Sequence, residues 1–243
     1  MKFCILSSGS KGNSTYLEIN NHKYLIDIGV NFLYLSKTLN EIGVNPHEIE
    51  GVFITHIHED HTAGLKRFLK EVNPVIYLTQ PIYDNLKLDI ENYVFIDEEP
   101  LSFVDTIKLS HDAPECLGYI FNSEDKSLVY ITDTGYINQK YFDKLSNKTA
   151  YILESNHDVD MLMNSSKPYF LKMRILGDVG HISNKDCLYY LKQFVGENTK
   201  YVVLAHLSED NNNEEIALNN IEEIQVENKL AARQNKRIEV IEL

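Results

Sequence analysis

Cysteine is scarce in this sequence: Cys4, Cys116 and Cys187 are widely spaced, odd in number and never form a CxxC pair. A disulfide-stapled scaffold is therefore excluded, and the usage fits a reducing compartment, so a cytoplasmic location is expected. No window approaches the ~18 apolar residues of a membrane helix. The opening MKFCILSSGS has too short an apolar stretch for a signal peptide, so no membrane role is expected. Basic side chains are outnumbered 23 to 36, which leaves a formal charge of −13. That excess repels phosphate at long range, so any contact with nucleic acid must rest on a local cationic site. Proline-rich hinges, low-complexity linkers and internal repeats are also missing. What is present is a chain of 243 residues, 43% hydrophobic, long enough to bury a real core and read as a single domain over 1–243.

Apolar runs rich in Val, Ile, Leu, Tyr and Phe predict strands at 2–6, 15–19, 23–27, 52–55, 75–78, 106–110, 117–121, 128–132, 149–153, 201–205 and 237–241. Helical spacing predicts helices at 31–42, 62–70, 81–87, 139–145, 184–194 and 213–228. The segment EINNHKYLI carries Asn20 and Asn21 where a hairpin turn belongs, while later strands alternate with helices as crossovers do. The mixture predicts an α/β fold with two sheets flanked by helices.

Ionisable residues recur where these strands stop. Asp27 closes YLID, His56 closes VFITH, His111 closes TIKLSH, Asp133 follows LVYIT and His206 follows YVVLA. A core strand fixes its last residue rigidly at the sheet edge, where α/β folds build their sites. The densest case is Thr55-His56-Ile57-His58-Glu59-Asp60-His61, three imidazoles and two carboxylates in seven residues. Imidazole and carboxylate suit zinc or manganese, and no cysteine competes nearby. In an extended loop His56 and His58 point the same way and chelate one ion, whereas Asp60 and His61, turning into a helix, face a second.

These residues carry a resemblance. HIHEDH resembles the HxHxDH signature of the metallo-β-lactamase fold, and Asp27 completes its opening pattern. The resemblance implies a four-layer αββα sandwich with two divalent ions, Zn or Mn. It assigns His56, His58 and His111 to one ion, Asp60, His61 and His206 to the other, and Asp133 as the bridge, with Asp27 holding the histidine loop by hydrogen bonds. The finer stretches SSGSKGNST, GHISN and AHLSEDNN resemble the YycJ (WalJ) branch, small metal-dependent phosphodiesterases related to the RNase J and RNase Z nucleases. Only 72 residues lie between Asp133 and His206, so the inserted second domain of the RNase J type is not expected.

The branch implies a metal-dependent hydrolase, a two-metal phosphodiesterase that degrades nucleic acid as a 5′-to-3′ DNA exonuclease with a metal-bridging hydroxide. Asp60 then orients the nucleophile and takes its proton, and His181, on a glycine-flanked loop, serves as a mobile acid for the leaving oxygen. Ser183, three residues before Asp186, is expected to cap the following helix. The loop GSKGNS is no Walker loop, yet Ser8, Ser10 or Asn13 are candidates to line the pocket. Lys167, Lys172, Arg174 and Lys185 stand against Asp178 and Asp186, and Lys172 and Arg174 are the expected contacts to a phosphate backbone. Tyr169, Phe170 and Tyr189 have the chemistry to stack bases. The alternative function is a small-molecule hydrolase for a cyclic phosphodiester or a thioester, and the alternative of another class is a regulator that binds metal without catalysis. The oligomeric state is open.

Overall fold

In the computed structural model, which describes residues 1–243, the chain forms two compact units, each built on one mixed sheet. The first comprises 1–103, Ala113–Glu115 and Arg233–Leu243, and the second Val104–Asp112 with Cys116–Ala232.

The first unit opens with β1 (Lys2–Ser7), β2 (Ser14–Ile19) and β3 (His22–Ile26), antiparallel neighbours in that order. Asn20 and Asn21 form the β2–β3 turn with φ of 52° and 68°. Two consecutive left-handed residues are what a type I′ hairpin needs, and asparagine tolerates them. Then follow α1 (Phe32–Glu41), β4 (Gly51–Phe53), α2 (Glu59–Thr62), α3 (Leu65–Glu71), β5 (Val75–Leu78), α4 (Gln80–Leu86) and β6 (Tyr93–Phe95). From β3 to β6 the pairing is parallel. Phe53 stacks on Tyr77 with ring centroids 4.6 Å apart, and the Tyr24 ring packs against both.

The second unit contributes β7 (Val104–Lys108), β8 (Leu117–Ser123), β9 (Lys126–Ile131), α5 (Phe142–Leu145), β10 (Ala150–Glu154), α6 (Val159–Asn164), α7 (Tyr169–Leu176), α8 (Asn184–Phe194), β11 (Tyr201–Ala205), α9 (Glu214–Asn220) and β12 (Asn228–Ala231). β7, β8 and β9 pair antiparallel, and β9, β10, β11 and β12 pair parallel. The core joins Ile131, Leu153, Val202 and Leu204 from the strands to Leu191 and Phe194 of α8. Ser183 caps α8 reciprocally with Asp186, as expected. The last strand, β13 (Ile241–Glu242), returns to the first sheet beside β1.

Three expectations are corrected. The helix expected at 62–70 is interrupted: α2 ends at Thr62 and α3 begins at Leu65, and between them the Gly64 N–H donates to the Ile28 carbonyl at 2.8 Å instead of continuing the helical ladder. The helix expected at 213–228 ends at Asn220, and Asn228–Ala231 is a strand on the sheet edge. The strand expected at 237–241 contracts to two residues. No helix is long and apolar enough to cross a membrane.

Candidate metal centre

In both units the parallel strands deliver polar residues just past their carboxyl ends, where open α/β sheets place ligands. The chain has to turn sharply there, and Asp27, Asp133 and His206 all adopt left-handed backbone conformations, with φ of 58°, 56° and 54°. Non-glycine residues in this region carry local strain, which the surrounding hydrogen bonds must hold.

In the first unit Asp27 is the hub of the histidine loop. Its carboxylate accepts from the Thr55 backbone N–H at 2.9 Å, from Thr55 Oγ1 at 2.8 Å and from His61 Nδ1 at 2.7 Å. Burial pushes the Asp27 carboxyl up from its ordinary value, and His61 and Thr55 oppose that shift. With Nδ1 on the carboxylate, His61 turns Nε2 to the outer side of its ring, the arrangement typical of metal-binding histidines. The His56 ring lies 4.6 Å from that of His58 and 4.2 Å from that of His61. Asp60 Oδ2 is 3.6 Å from His61 Nε2.

Asn13 holds the other side of this loop. Its backbone N–H donates to the Asp60 carbonyl at 2.7 Å, and its Nδ2 lies 3.3 Å from Asp60 Oδ2 and 3.0 Å from His61 Nε2. Asn13 Oδ1 accepts from the Gly9 N–H at 2.8 Å, which closes the loop on itself. Close approach is possible because Gly29 lacks a side chain: a Cβ there would lie 1.7 Å from the Asp60 carbonyl oxygen. Ser8 is buried, and its backbone N–H donates to Arg233 O at 3.1 Å. Asn13 thus ties its loop to the histidine loop, while Ser8 is bonded to the Arg233 segment.

In the second unit Asp133, His181 and His206 are brought together around a residue that sequence reasoning missed, Glu154, with His111 beside Asp133 and His181. Fully buried at the end of β10, Glu154 presents Oε1 to His181 Nδ1 at 2.8 Å and to His206 Nδ1 at 2.9 Å. Its Oε2 accepts from the backbone N–H groups of Thr134 at 3.0 Å and Ile182 at 3.2 Å. Burial opposes ionisation of Glu154, but His181 and the hydrogen bonds from both imidazoles outweigh it and hold the carboxyl down at about 2. For His181 burial works the other way, and the Glu154 charge overcomes it, so the imidazolium is favoured above its ordinary range. Asp133 Oδ1 lies 3.4 Å from His206 Nδ1 and 3.7 Å from His181 Nδ1. His111 directs Nδ1 to the Gly180 carbonyl at 3.1 Å, with Nε2 3.9 Å from Asp133 Oδ1. Ligand atoms of Asp133, Glu154, His181 and His206 all lie within 4.8 Å of one another. Both Glu154 oxygens are taken up by protein donors, so it is Asp133 with the Nδ1-anchored imidazoles of His111 and His206 that has the chemistry to hold a divalent metal.

Two expectations about this unit are corrected. His181 is anchored rather than mobile: besides the Glu154 contact, its backbone N–H donates to Ile175 O at 2.9 Å. Gly180 serves close packing, since a Cβ there would lie 2.2 Å from that same carbonyl. Lys172 is no part of a solvent-facing stripe. It is buried, and its Nζ donates to Met163 O and Ser165 O at 2.7 Å each. Arg174 is exposed, and its Nε donates to Asp112 Oδ2 at 2.9 Å. Lys167 pairs with Asp210 at 2.7 Å. Tyr169, Phe170 and Tyr189 face solvent.

Residues 8–206 match the family model of the metallo-β-lactamase superfamily. The chain is 31% identical over 234 residues to the exodeoxyribonuclease YycJ of Bacillus anthracis, covering 92% of this chain and 89% of that one. It is 34% identical over 228 residues to the exodeoxyribonuclease WalJ of Streptococcus pneumoniae serotype 2, covering 89% and 85%. Among solved structures it resembles the metallo-β-lactamase fold protein YhfI of Bacillus subtilis, with a TM-score of 0.71 and 14% identity over 98% of this chain and 99% of that one. Two mixed sheets with their helices and this likeness bear out the α/β fold class, and the chain belongs to the metallo-β-lactamase superfamily, as a hydrolase of its YycJ/WalJ-like branch.

Proposed function

We propose that the chain is a two-metal phosphodiesterase that degrades nucleic acid, DNA from its 5′ end. The observation that carries this reading is the likeness, over almost the whole of both chains, to proteins named exodeoxyribonucleases. By the resemblance of the HxHxDH pattern, His56, His58, Asp60, His61, His111, Asp133 and His206 are the residues that would hold two divalent ions. Bound there, zinc or manganese would supply Lewis-acid chemistry toward water and the phosphoryl group.

The protein's own groups do the rest. Asp60, pinned by Asn13 on one side and beside His61 on the other, orients the attacking water and accepts its proton. His181 protonates the leaving oxygen. Its Nδ1 is engaged by Glu154, so the donating atom is Nε2, and the same carboxylate favours the charged acid form. Asp27 and Glu154 fix the orientation of His61 and His206. Arg174 is retained as a contact to the phosphate backbone, whereas the Nζ of Lys172 is occupied by the fold.

The test is hydrolysis by chelator-stripped enzyme to which Mn or Zn is returned, with DNA, RNA, a cyclic phosphodiester and a thioester as substrates. Metal-restored cleavage with DNA preferred supports the reading. Preference for the cyclic diester or the thioester replaces it with small-molecule hydrolysis.

A further inference from the structure

We infer that a hollow of about 210 Å³ on the second unit, lined by Lys108, Ser110, Tyr136, Asn138, Lys140 and Tyr141, binds one nucleotide of the substrate strand beside the scissile phosphodiester. This rests on the nucleic-acid reading above and deepens it. Ser110 directly precedes His111, and Tyr136 stands three residues beyond Asp133. Two lining residues are thus tied by one and three residues of chain to proposed metal ligands.

Its walls are held in place. Ser110 donates its N–H to Thr134 Oγ1 at 3.2 Å, Thr134 Oγ1 donates to the Tyr136 carbonyl at 2.7 Å, and the Gly135 N–H donates to Ser110 O at 2.8 Å. The backbone N–H of the buried Ile137 donates to the Tyr190 hydroxyl at 3.0 Å, which pins the loop just after Tyr136. Tyr136 itself keeps 41% of its surface exposed. An aromatic ring on a fixed loop, open to solvent, is a stacking platform whose order is already in place before a base arrives.

The charge fits as well. None of the lining residues is acidic, although the chain carries −13 overall. Lys140 holds its ammonium 4.8 Å from the centre of the Tyr141 ring, and the Tyr141 hydroxyl accepts from the Lys108 backbone N–H at 3.3 Å. Asn138 Oδ1 accepts from the Lys140 N–H at 3.1 Å and fixes the turn that carries it. Nearby Lys144 pairs with Asp105 at 2.9 Å, whereas Lys140 makes no ion pair. The Lys140 ammonium suits a phosphate oxygen, the Tyr136 face suits a base without regard to sequence, and the hydroxyl and amide suit a sugar.

The test compares holoenzyme variants by the ratio of kcat/KM on a DNA oligonucleotide to kcat/KM on a small aryl phosphodiester. Tyr136→Ala should lower the ratio on the order of 10-fold, and Tyr136→Phe, which keeps the ring, should restore it. Lys140→Ala should lower it too, and flatten the salt dependence of oligonucleotide binding by a slope of about 1. Melting temperatures check that the fold is intact. An unchanged ratio in both alanine variants, or a loss that phenylalanine fails to restore, overturns the pocket while leaving the nuclease reading standing. A wild-type enzyme that cleaves the small diester but not DNA overturns the nuclease reading, and the pocket falls with it.

Discussion

Glu154 Oε1 lies 2.8 Å from His181 Nδ1, and the negative charge so placed favours the imidazolium. If His181 acts as the acid, the active form persists to higher pH than an isolated histidine allows. Replacing Glu154 by Gln removes the charge and lowers the His181 pKa, so the alkaline limb of the kcat/KM profile should move to lower pH. Activity at neutral pH should also fall roughly 10- to 100-fold, the usual cost of losing a carboxylate that orients a metal-binding histidine. A pH–rate profile of the variant decides it, and an alkaline limb that stays in place contradicts the assigned role.

Asp27 receives three buried hydrogen bonds from Thr55 and His61. Asp27→Ala strands those donors, at about 1–3 kcal/mol for each that finds no partner. It also frees the His61 ring to turn. The melting temperature should drop by several degrees and metal affinity by roughly 10- to 100-fold, as read by calorimetry and elemental analysis.

Lys172 and Arg174 sit two residues apart and should fail differently. Lys172→Ala removes the partner of two carbonyl groups and the packing of a buried stem, so it should lower the melting temperature by several degrees. Arg174 is 62% exposed, and its pair with Asp112 is worth under about 1 kcal/mol. Arg174→Ala should leave stability nearly unchanged and weaken DNA binding with a shallower salt dependence. Anisotropy titrations at several salt concentrations, run beside thermal melts, separate the two effects.

His181 and His206 share one carboxylate oxygen but are assigned different work. His206→Ala should lose one metal and some thermal stability, because ligand binding energy also stabilises the folded state. His181→Ala should keep both metals and lose on the order of 10²- to 10⁴-fold in rate. A nitrophenolate leaving group needs no proton, so that substrate should suffer less. If metal is lost from the His181 variant and retained in the His206 variant, the roles are reversed.

The strand-end residues were legible because packing alone gives a buried apolar strand no cause to stop at an acid or a histidine, as happens at Asp27, Asp133 and His206. Glu154 obeys the same rule at the end of AYILE, but it is the last residue of β10 rather than beyond it, and its burial is visible only when Thr134, His181, Ile182 and His206 converge on it. The helix α7 was hidden because its amphipathicity is inverted: Lys172 is its buried residue, while Tyr169 and Phe170 are 69% and 74% exposed. Polarity alone therefore placed Lys172 in solvent, and only the carbonyl groups of Met163 and Ser165 account for its burial. At the sheet edges the pattern was weakest, since β12 carries Asn228 and Lys229 and reads as the tail of a helix.

Digestion of DNA labelled at one end only, by metal-restored enzyme and followed over time, reads nuclease activity and its polarity together. A 5′ label should be released early in small products while a 3′ label stays on a steadily shortening strand, and chelation should stop both. Release of the 3′ label first contradicts the polarity, and intact DNA in the presence of either Mn or Zn contradicts the nuclease itself.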